Sequence, residues 1–153
     1  MGESGRAEVA CAIVHGDLNL ANVLLDDAFN TWLIDYFWTR TGHVLDDVAK
    51  LENDLKFIML PLPDDAALGR AFELEQHLGR QEDLLTPLAD PPHQLLADPA
   101  LAKVHTAVAR LRELAAELLR ESGLAGPVPA REYRIAQLRY SAHTLSFVEC
   151  DER

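Results

Sequence analysis

The most specific pattern in this chain lies in two short stretches near its beginning. The first reads H-G-D-L-N-L-A-N from His15 to Asn22, and the second reads L-I-D-Y from Leu33 to Tyr36. Together they have the form H-x-D-x-x-x-x-N, followed by an apolar run that ends in aspartate. The polar residues stand beside short apolar runs, as they do where buried strands end. The pattern therefore predicts a polar cleft beside a small β-structure.

Three apolar runs surround this pattern, at residues 9–14, 22–25 and 31–34. The first is compatible with a buried strand that leads into His15. Between the other two lies D-D-A-F-N at residues 26–30, in which Asp and Asn favour a turn. We therefore predict a β-hairpin that folds Asp35 back towards Asp17.

Residues of these types at this spacing suit kinase-type phosphoryl transfer. Asp17 is the candidate catalytic residue, because it can accept or orient the proton of an attacking hydroxyl. Asn22 and Asp35 are the candidate ligands of Mg²⁺, which prefers oxygen donors and completes its coordination with phosphates and water. His15 is expected to pack in the core and to hydrogen-bond the loop. Any one of these residues alone is better explained as a turn or cap residue, and only their order and context favour a site.

The remainder of the chain is predicted to be helical. Four segments show the apolar spacing of amphipathic helices: residues 45–59, residues 64–78, the segment between Pro99 and Gly123, and residues 130–148. Acid-before-base pairs four residues apart, Asp46/Lys50 and Glu52/Lys56, support the first helix. Aspartates at positions 64 and 98 can cap the second and third. The predicted fold class is α+β, mainly α, with a small β-hairpin and a helical body.

The composition is that of a single globular domain with an acidic surface. The 153 residues carry a net charge of −11, with 48% hydrophobic and 25% charged residues. The charge is uneven, since residues 1–65 hold 4 basic and 12 acidic side chains, whereas residues 66–153 hold 10 and 13. An acidic front would attract Mg²⁺ and cationic substrates. An acidic surface that only keeps the protein soluble is an equally good interpretation.

Several other classes of protein are not indicated. The net negative charge argues against a nucleic-acid surface, and no apolar run approaches the roughly 20 residues of a membrane span. The N-terminal residues lack the apolar core of a signal peptide. Cys11 and Cys150 lie at opposite ends of the sequence and form no disulfide framework, and the six histidines include no closely spaced pair for zinc. We therefore expect a cytoplasmic protein with no membrane and no nucleic-acid partner.

Residues 13–55 resemble the catalytic segment of the aminoglycoside phosphotransferase and choline kinase-like superfamily, which has a protein-kinase-like fold. The family loop H-G-D-L-x-x-x-N is matched at residues 15–22, and the family metal motif, I-D-W or I-D-F after an apolar pair, at residues 32–36. The family glycine and the D-L-A that begins a helix are matched by Gly42 and by D-V-A from Asp47. The resemblance implies a catalytic base at Asp17, nucleotide and Mg²⁺ binding by Asn22 and Asp35, and structural support of the loop by Asp47.

The resemblance also implies an organisation and a function. Residues 1–8 would be a flexible N-terminus, residues 9–60 the catalytic segment and residues 61–153 a helical subdomain of one kinase-like C-terminal lobe. Such a lobe binds Mg²⁺ and ATP and transfers the terminal phosphate to a hydroxyl of a small molecule. The glycine-rich loop and lysine of the N-lobe have no counterpart in this sequence, so a longer protein or a partner domain is expected to supply them.

Two alternatives remain open at the level of sequence. The first is a non-catalytic, pseudokinase-like interaction module of a larger bacterial signalling or conflict assembly, which the missing N-lobe favours. The second is a plain helical scaffold, which accounts for the helical part of the chain but leaves the ordered motifs unexplained.

Overall fold

The computed structural model describes residues 10–123, 127–128 and 130–145. Within these ranges the fold is α+β and mainly helical, with two small antiparallel strand pairs. This agrees with the fold class predicted from the sequence. The expected flexible N-terminus and the predicted end of the last helix, residues 146–148, lie outside the described residues.

The β-structure forms where the apolar runs predict it. Its strands are β1 (Cys11–Val14), β2 (Val23–Leu25), β3 (Thr31–Leu33) and β4 (Arg40–His43). The predicted hairpin is the antiparallel pair β2–β3, with Val23 opposite Leu33. Two short 3-10 helices, Leu20–Asn22 and Tyr36–Trp38, precede and follow it.

The sequence does not predict β4. Its residues, R-T-G-H, lack the apolar alternation of a half-buried strand, and they form a strand because β1 pairs with them, Cys11 lying opposite His43. This pairing returns the chain to the start of the loop that follows β1, immediately before the first long helix.

The helices follow the predicted periodicity. They are α1 (Asp46–Phe57), α2 (Asp65–Leu78), α3 (His93–Leu96), α4 (Pro99–Glu121) and α5 (Ala130–Thr144). The predicted caps are present, since the Asp64 side chain accepts a hydrogen bond from Ala67 N–H at 2.7 Å and that of Asp98 accepts from Ala100 N–H at 3.0 Å. Only the one-turn helix α3 falls in the proline-rich segment predicted to be irregular. No helix in the described ranges is long and apolar enough to cross a membrane.

The helices bury two apolar clusters. One joins α1, α4 and α5 around Leu45, Ala49, Ala115 and Tyr133. The other joins α2, α3 and α4 around Leu74, Leu95 and Val108. Helix α4 contributes to both clusters and therefore holds the two halves of the helical body together.

One expected ion pair has different partners in the structure. Lys50 is buried and pairs with Asp54, Nζ to Oδ1 at 3.0 Å, whereas Asp46 pairs with Arg40 at 3.2 Å. The predicted Asp46/Lys50 pair is therefore not formed. Glu52 and Lys56 do pair, at 3.3 Å, but both are buried rather than on the helix surface.

Candidate functional site

The loop after β1 is held by a carboxylate in the first turn of α1. Asp47 Oδ2 accepts a hydrogen bond from the backbone N–H of His15 at 2.7 Å, and its Oδ1 accepts one from Gly16 N–H at 3.0 Å. A carboxylate at a helix N-terminus is also favoured by the helix dipole. These contacts are of the kind that the family resemblance implies for Asp47.

Gly16 is the point where this loop passes close to another part of the backbone. Its φ is +86°, and a Cβ at this position would lie 2.2 Å from the carbonyl oxygen of Trp38. Only glycine fits both the conformation and the space. The loop therefore follows the end of the Tyr36–Trp38 segment closely, and this close approach determines the direction of the backbone as it enters Asp17.

Two side chains fix the middle of the loop. The Asn19 Oδ1 accepts hydrogen bonds from the N–H groups of Ala21 and Asn22, at 3.0 and 3.1 Å, and so caps the first 3-10 helix. Asp54, from α1, accepts a hydrogen bond from Leu20 N–H at 3.1 Å. Sequence reasoning missed both residues. Asn19 was detectable as a cap residue, whereas nothing local to Asp54 indicates a contact with a residue so distant in sequence.

Asn22 is oriented by a hydrogen bond to the backbone of Asp17, the residue with which it is expected to form the site. It is buried, and its Nδ2 donates a hydrogen bond to the backbone carbonyl of Asp17 at 3.0 Å. No hydrogen bond to its Oδ1 is present within the described ranges, so that oxygen is available as an acceptor. From the residues that the structure describes, the carboxylate of Asp17 receives only a long contact, from Asn19 Nδ2 at 3.4 Å.

The hairpin brings Asp35 to the same place. The backbone N–H of Ile34 donates to the carbonyl of Asn22 at 3.1 Å, which extends the β2–β3 pairing by one step. His15 is buried, and its Nε2 lies 2.8 Å from the carbonyl oxygen of Ile34. This hydrogen bond goes to the hairpin rather than to the loop itself. Asp17, Asn22 and Asp35 are thus linked through neighbouring backbone groups at one end of the hairpin.

Asp35 has an unusual conformation for a residue other than glycine. Its φ and ψ are 63° and 58°, in the left-handed region, and its exposed side chain makes no hydrogen bond that caps the following 3-10 helix. Aspartate tolerates this region better than most residues, yet such a conformation is strained and occurs disproportionately at functional sites. The carboxylate is therefore held at the end of the hairpin, and no described residue donates a hydrogen bond to its oxygens.

The donor set suits a hard cation that uses few protein ligands. In the part of the chain that the structure describes, no group of three or more His, Cys, Asp and Glu side chains is arranged to hold a metal. The two candidate ligands are one amide oxygen, on Asn22, and one carboxylate, on Asp35. This pair fits Mg²⁺, which commonly takes one or two protein oxygens together with phosphate oxygens and water.

A cavity of about 680 Å³ opens beside Asp17. The loop contributes Gly16 and Asp17 to its wall, α1 contributes Lys50, and α5 contributes Arg139 and Tyr140. Sequence reasoning did not connect α5 with the site, because no local pattern in that helix indicates which residues it will face. The volume is in the range of small-molecule sites in proteins.

Apolar residues flank Asp35 on both sides along the chain. All seven residues from 32 to 38 are exposed, and Phe37 is 80% exposed. We call the six apolar or aromatic ones the aromatic face: Trp32, Leu33, Ile34, Tyr36, Phe37 and Trp38. Large exposed apolar surfaces are rare on proteins that work as monomers, and they commonly mark sites of protein interaction.

These features define an α+β, mainly helical domain with an aspartate- and asparagine-bearing loop, a small cavity and an exposed aromatic face. The family model described as Ternary complex associated domain 9 matches residues 3–146, and the chain belongs to this family. No curated protein and no solved structure matches the chain.

Proposed function

We propose that this domain is a kinase-like C-terminal lobe of the aminoglycoside phosphotransferase type. It would supply the catalytic aspartate and the Mg²⁺ ligands for transfer of the terminal phosphate of ATP to a hydroxyl of a small molecule. The linked arrangement of Asp17, Asn22 and Asp35 carries the proposal. Asn22 binds the backbone of Asp17 and pairs with the residue before Asp35, so one rigid unit presents all three side chains.

Each residue has a distinct role in this proposal. The Asp17 carboxylate accepts a hydrogen bond from the acceptor hydroxyl and takes its proton as the oxygen bonds to the γ-phosphorus of ATP, while the bond between that phosphorus and the β,γ-bridging oxygen breaks and ADP leaves. Asn22 Oδ1 and the Asp35 carboxylate are the atoms that would hold Mg²⁺, which would neutralise phosphate charge. Asp47 and Gly16 are positioning residues, because they act through the backbone of the loop.

A kinase places its nucleotide between two lobes, so the proposal requires a second domain over Asp35. The aromatic face provides exposed apolar side chains for it, because its residues flank Asp35 on both sides along the chain. We therefore infer that the covering domain, an N-lobe or a partner that replaces it, packs on the aromatic face. The family description, a domain associated with ternary complexes, supports a role within an assembly.

Thermal unfolding with Mg²⁺ and Mg²⁺-ATP tests the metal and nucleotide half of the proposal. A ligand at ~5 mM with Kd of ~1 mM stabilises the native state by about 1 kcal/mol. For a domain of this size that raises Tm by roughly 2–4 °C. We expect this shift with Mg²⁺-ATP in the parent protein and its loss in Asp35→Asn. Asparagine is chosen because it tolerates the left-handed conformation of this position.

Asp27→Asn is the matched control for this experiment. Asp27 lies exposed in the turn of the same hairpin, and it makes no hydrogen bond or ion pair with the described residues. We expect Asp27→Asn to keep the full nucleotide shift. An equal Tm shift with Mg²⁺-ATP in the parent protein and in Asp35→Asn would show that Asp35 does not bind the metal or the nucleotide.

The catalytic role of Asp17 needs an assembly that turns over. In the complex of this domain with its covering domain, Asp17→Asn should depress kcat strongly while Tm stays near that of the parent protein, since the Asp17 side chain accepts only one long hydrogen bond from the described residues. Retained turnover in this variant would contradict the assignment of Asp17.

The aromatic face also favours a second candidate function, a non-catalytic interaction module of a larger bacterial signalling or conflict assembly. In this alternative the loop and hairpin are retained as a rigid support for a protein-binding surface. The two candidates differ in the thermal experiment. A complete absence of any Mg²⁺-ATP effect, both alone and with the covering domain bound, favours the interaction module.

A further inference from the structure

The wall of the cavity beside Asp17 has a local charge that differs from the charge of the chain. Although residues 1–65 carry 12 acidic and 4 basic side chains, the cavity wall includes Arg40, Lys50 and Arg139 and a single carboxylate, Asp17. Charges that line a cavity dominate the field inside it, because exposed charges farther away than ~8–10 Å are screened by salt.

Two of the three cations already have carboxylate partners behind the wall. Arg40 Nη2 lies 3.2 Å from Asp46 Oδ2, and Lys50 Nζ lies 3.0 Å from Asp54 Oδ1. These pairs leave little net charge for a ligand and mainly hold the wall in shape.

Arg139 differs from them. It is exposed on α5, and no carboxylate and no hydrogen-bond acceptor contacts its guanidinium within the described part of the chain. The guanidinium lies over the ring of Tyr140, 5.6 Å from the ring centroid. Arginine offers several N–H donors in a planar arrangement that matches a carboxylate or a phosphate.

Tyr140 supplies a second, independent indication of a ligand. Its side chain forms part of the cavity wall and is only 6% exposed, and its hydroxyl is buried with no hydrogen-bond partner among the described residues. Burial, together with the charge of Asp46, raises the pKa of this hydroxyl, so it stays protonated at neutral pH. A buried hydroxyl without a partner is costly, and a ligand oxygen can satisfy it as an acceptor.

We propose that this cavity binds the acceptor as an anion, a small hydroxyl compound whose carboxylate or phosphate group lies at Arg139 and Tyr140 and whose hydroxyl faces Asp17. The identity of the ligand as the acceptor rests on the proposed function, whereas the anion site itself rests on the cavity wall. The inference reverses the expectation of a cationic substrate, because the guanidinium of Arg139 in the cavity wall, which pairs with no described carboxylate, is the charge that the anionic group of the ligand meets, rather than the net charge of the chain.

The test is binding of four small probes to the full chain, followed by two-dimensional ¹H–¹⁵N NMR. D-glycerate and glycerol 3-phosphate carry hydroxyls and one of the two anionic groups, glycerol is the uncharged control, and choline is a cationic alcohol. We expect shifts of the Gly16, Arg139 and Tyr140 amides with one or both anions and none with glycerol. The two anions distinguish a carboxylate ligand from a phosphate ligand. Binding of choline in preference to both anions overturns the proposal.

Variants on α5 identify the residues responsible. Arg139→Gln should weaken the affinity for the anion about tenfold or more, as expected for the loss of a charge-assisted hydrogen bond. Arg131→Gln is the matched control, because Arg131 is an exposed arginine of the same helix that does not line the cavity. Equal affinities in the parent protein and Arg139→Gln overturn the proposal.

Tyr140→Phe gives a readout that a structural role of Tyr140 would not produce. Because the hydroxyl has no hydrogen-bond partner among the described residues, its removal should leave Tm unchanged or raise it, while the affinity for the anion falls several-fold. A lower Tm with unchanged affinity overturns the assignment of the hydroxyl.

The outcomes for the anion site and for the proposed function are separable, since the NMR experiment needs neither nucleotide nor turnover. Anion binding without any Mg²⁺-ATP effect would support the anion site and contradict the proposed kinase function. A Mg²⁺-ATP effect without anion binding would support the kinase function and contradict the proposal that the acceptor is an anion.

Discussion

At the scale of single residues, two left-handed backbone conformations shape the site for different reasons. Gly16 needs one because the loop passes against the carbonyl of Trp38, where no side chain fits. Asp35 adopts one at the end of the hairpin, where its short polar side chain tolerates the strain. The first makes room for the loop, and the second holds a carboxylate in place.

Gly16→Ala should therefore destabilise the protein and displace the loop. We expect a loss of more than about 1–3 kcal/mol, the usual cost of a strained backbone conformation, since the added Cβ also clashes with Trp38. Urea denaturation gives the change in the free energy of unfolding. The control is Gly69→Ala in α2, where a Cβ meets nothing within 4 Å and alanine should stabilise by about 0.5–1 kcal/mol. Equal effects at the two positions would contradict this account.

Asp47 gives a second prediction at this scale. Asp47→Asn replaces one of the two acceptors for the N–H groups of His15 and Gly16 by a donor, so unfolding should become easier by about 1–3 kcal/mol. Hydrogen exchange of these two amides should accelerate more than that of the α4 amides. Asp27→Asn, which removes an exposed carboxylate from the hairpin turn, should change neither quantity. Unaltered exchange at His15 and Gly16 in Asp47→Asn would show that the contact does not hold the loop.

At the scale of elements, one buried carboxylate connects three helices. Glu52 of α1 is fully buried and accepts hydrogen bonds from Arg112 of α4, at 3.0 and 2.7 Å, and from the hydroxyl of Tyr133 of α5, at 2.6 Å. Gln137 of α5 also donates to it. Because α1 carries Asp47 and α5 carries part of the cavity wall, this cluster determines how the α5 side of the cavity is placed relative to the loop.

Breaking this cluster should destabilise the protein strongly. Glu52→Gln leaves Arg112 buried without its counter-charge, which typically costs about 3–5 kcal/mol. Glu113→Gln is the control, since Glu113 pairs with Arg110 at the surface and such pairs contribute at most about 1 kcal/mol. Chemical denaturation of both variants at neutral pH measures the difference. If Glu52→Gln lowered the free energy of unfolding by less than Glu113→Gln does, the result would contradict the role given to Glu52.

The lowered pKa of the same carboxylate predicts that the stability of the protein depends on pH. Burial alone would raise the pKa of Glu52, but the hydrogen bonds and charge of Arg112 outweigh it and lower the pKa below the ordinary value of 4.5. A group whose pKa is lower in the folded state stabilises that state at pH values above its pKa in the unfolded chain. This contribution is lost as the pH falls through the pKa of the folded state. We therefore expect the free energy of unfolding to decrease below about pH 4.5, and to decrease less in Glu52→Gln.

At the scale of the whole molecule, the aromatic face and the acidic charge act in opposite directions. A net charge of −11 keeps copies of the chain apart, whereas exposed apolar surface draws them together. Because this face is exposed, we expect the isolated chain to self-associate through it, more strongly at high salt, where charge repulsion is screened.

Sedimentation velocity over a range of concentrations measures this association. Phe37→Ser, in the aromatic face, should reduce it, whereas Phe72→Ser, at an exposed phenylalanine of α2, should not. A strictly monomeric profile of the parent protein at high concentration and high salt would contradict the prediction.

The sequence predicts those parts of the fold and site that depend on neighbours along the chain. The β2–β3 hairpin, the caps at Asp64 and Asp98, and the amphipathic helices follow from turn residues and from periodicity. The contacts of Asp54 with the loop, and of Lys50 with Asp54 instead of Asp46, were not predictable. They depend on which faces of the helices become buried, and the sequence of one element does not specify its neighbours in space.

The sequence by itself determined that this is an α+β, mainly helical domain and which aspartates and asparagine stand at the ends of its strands. Only the tertiary structure decided that β1 pairs with β4, that Glu52 lies in the core, and that α5 places Arg139 and Tyr140 beside Asp17. The physical reason is the range of the interactions. Hydrogen-bonded turns and helical periodicity act between residues close in sequence, whereas burial and the electric field of a cavity depend on side chains that only the folded chain brings together.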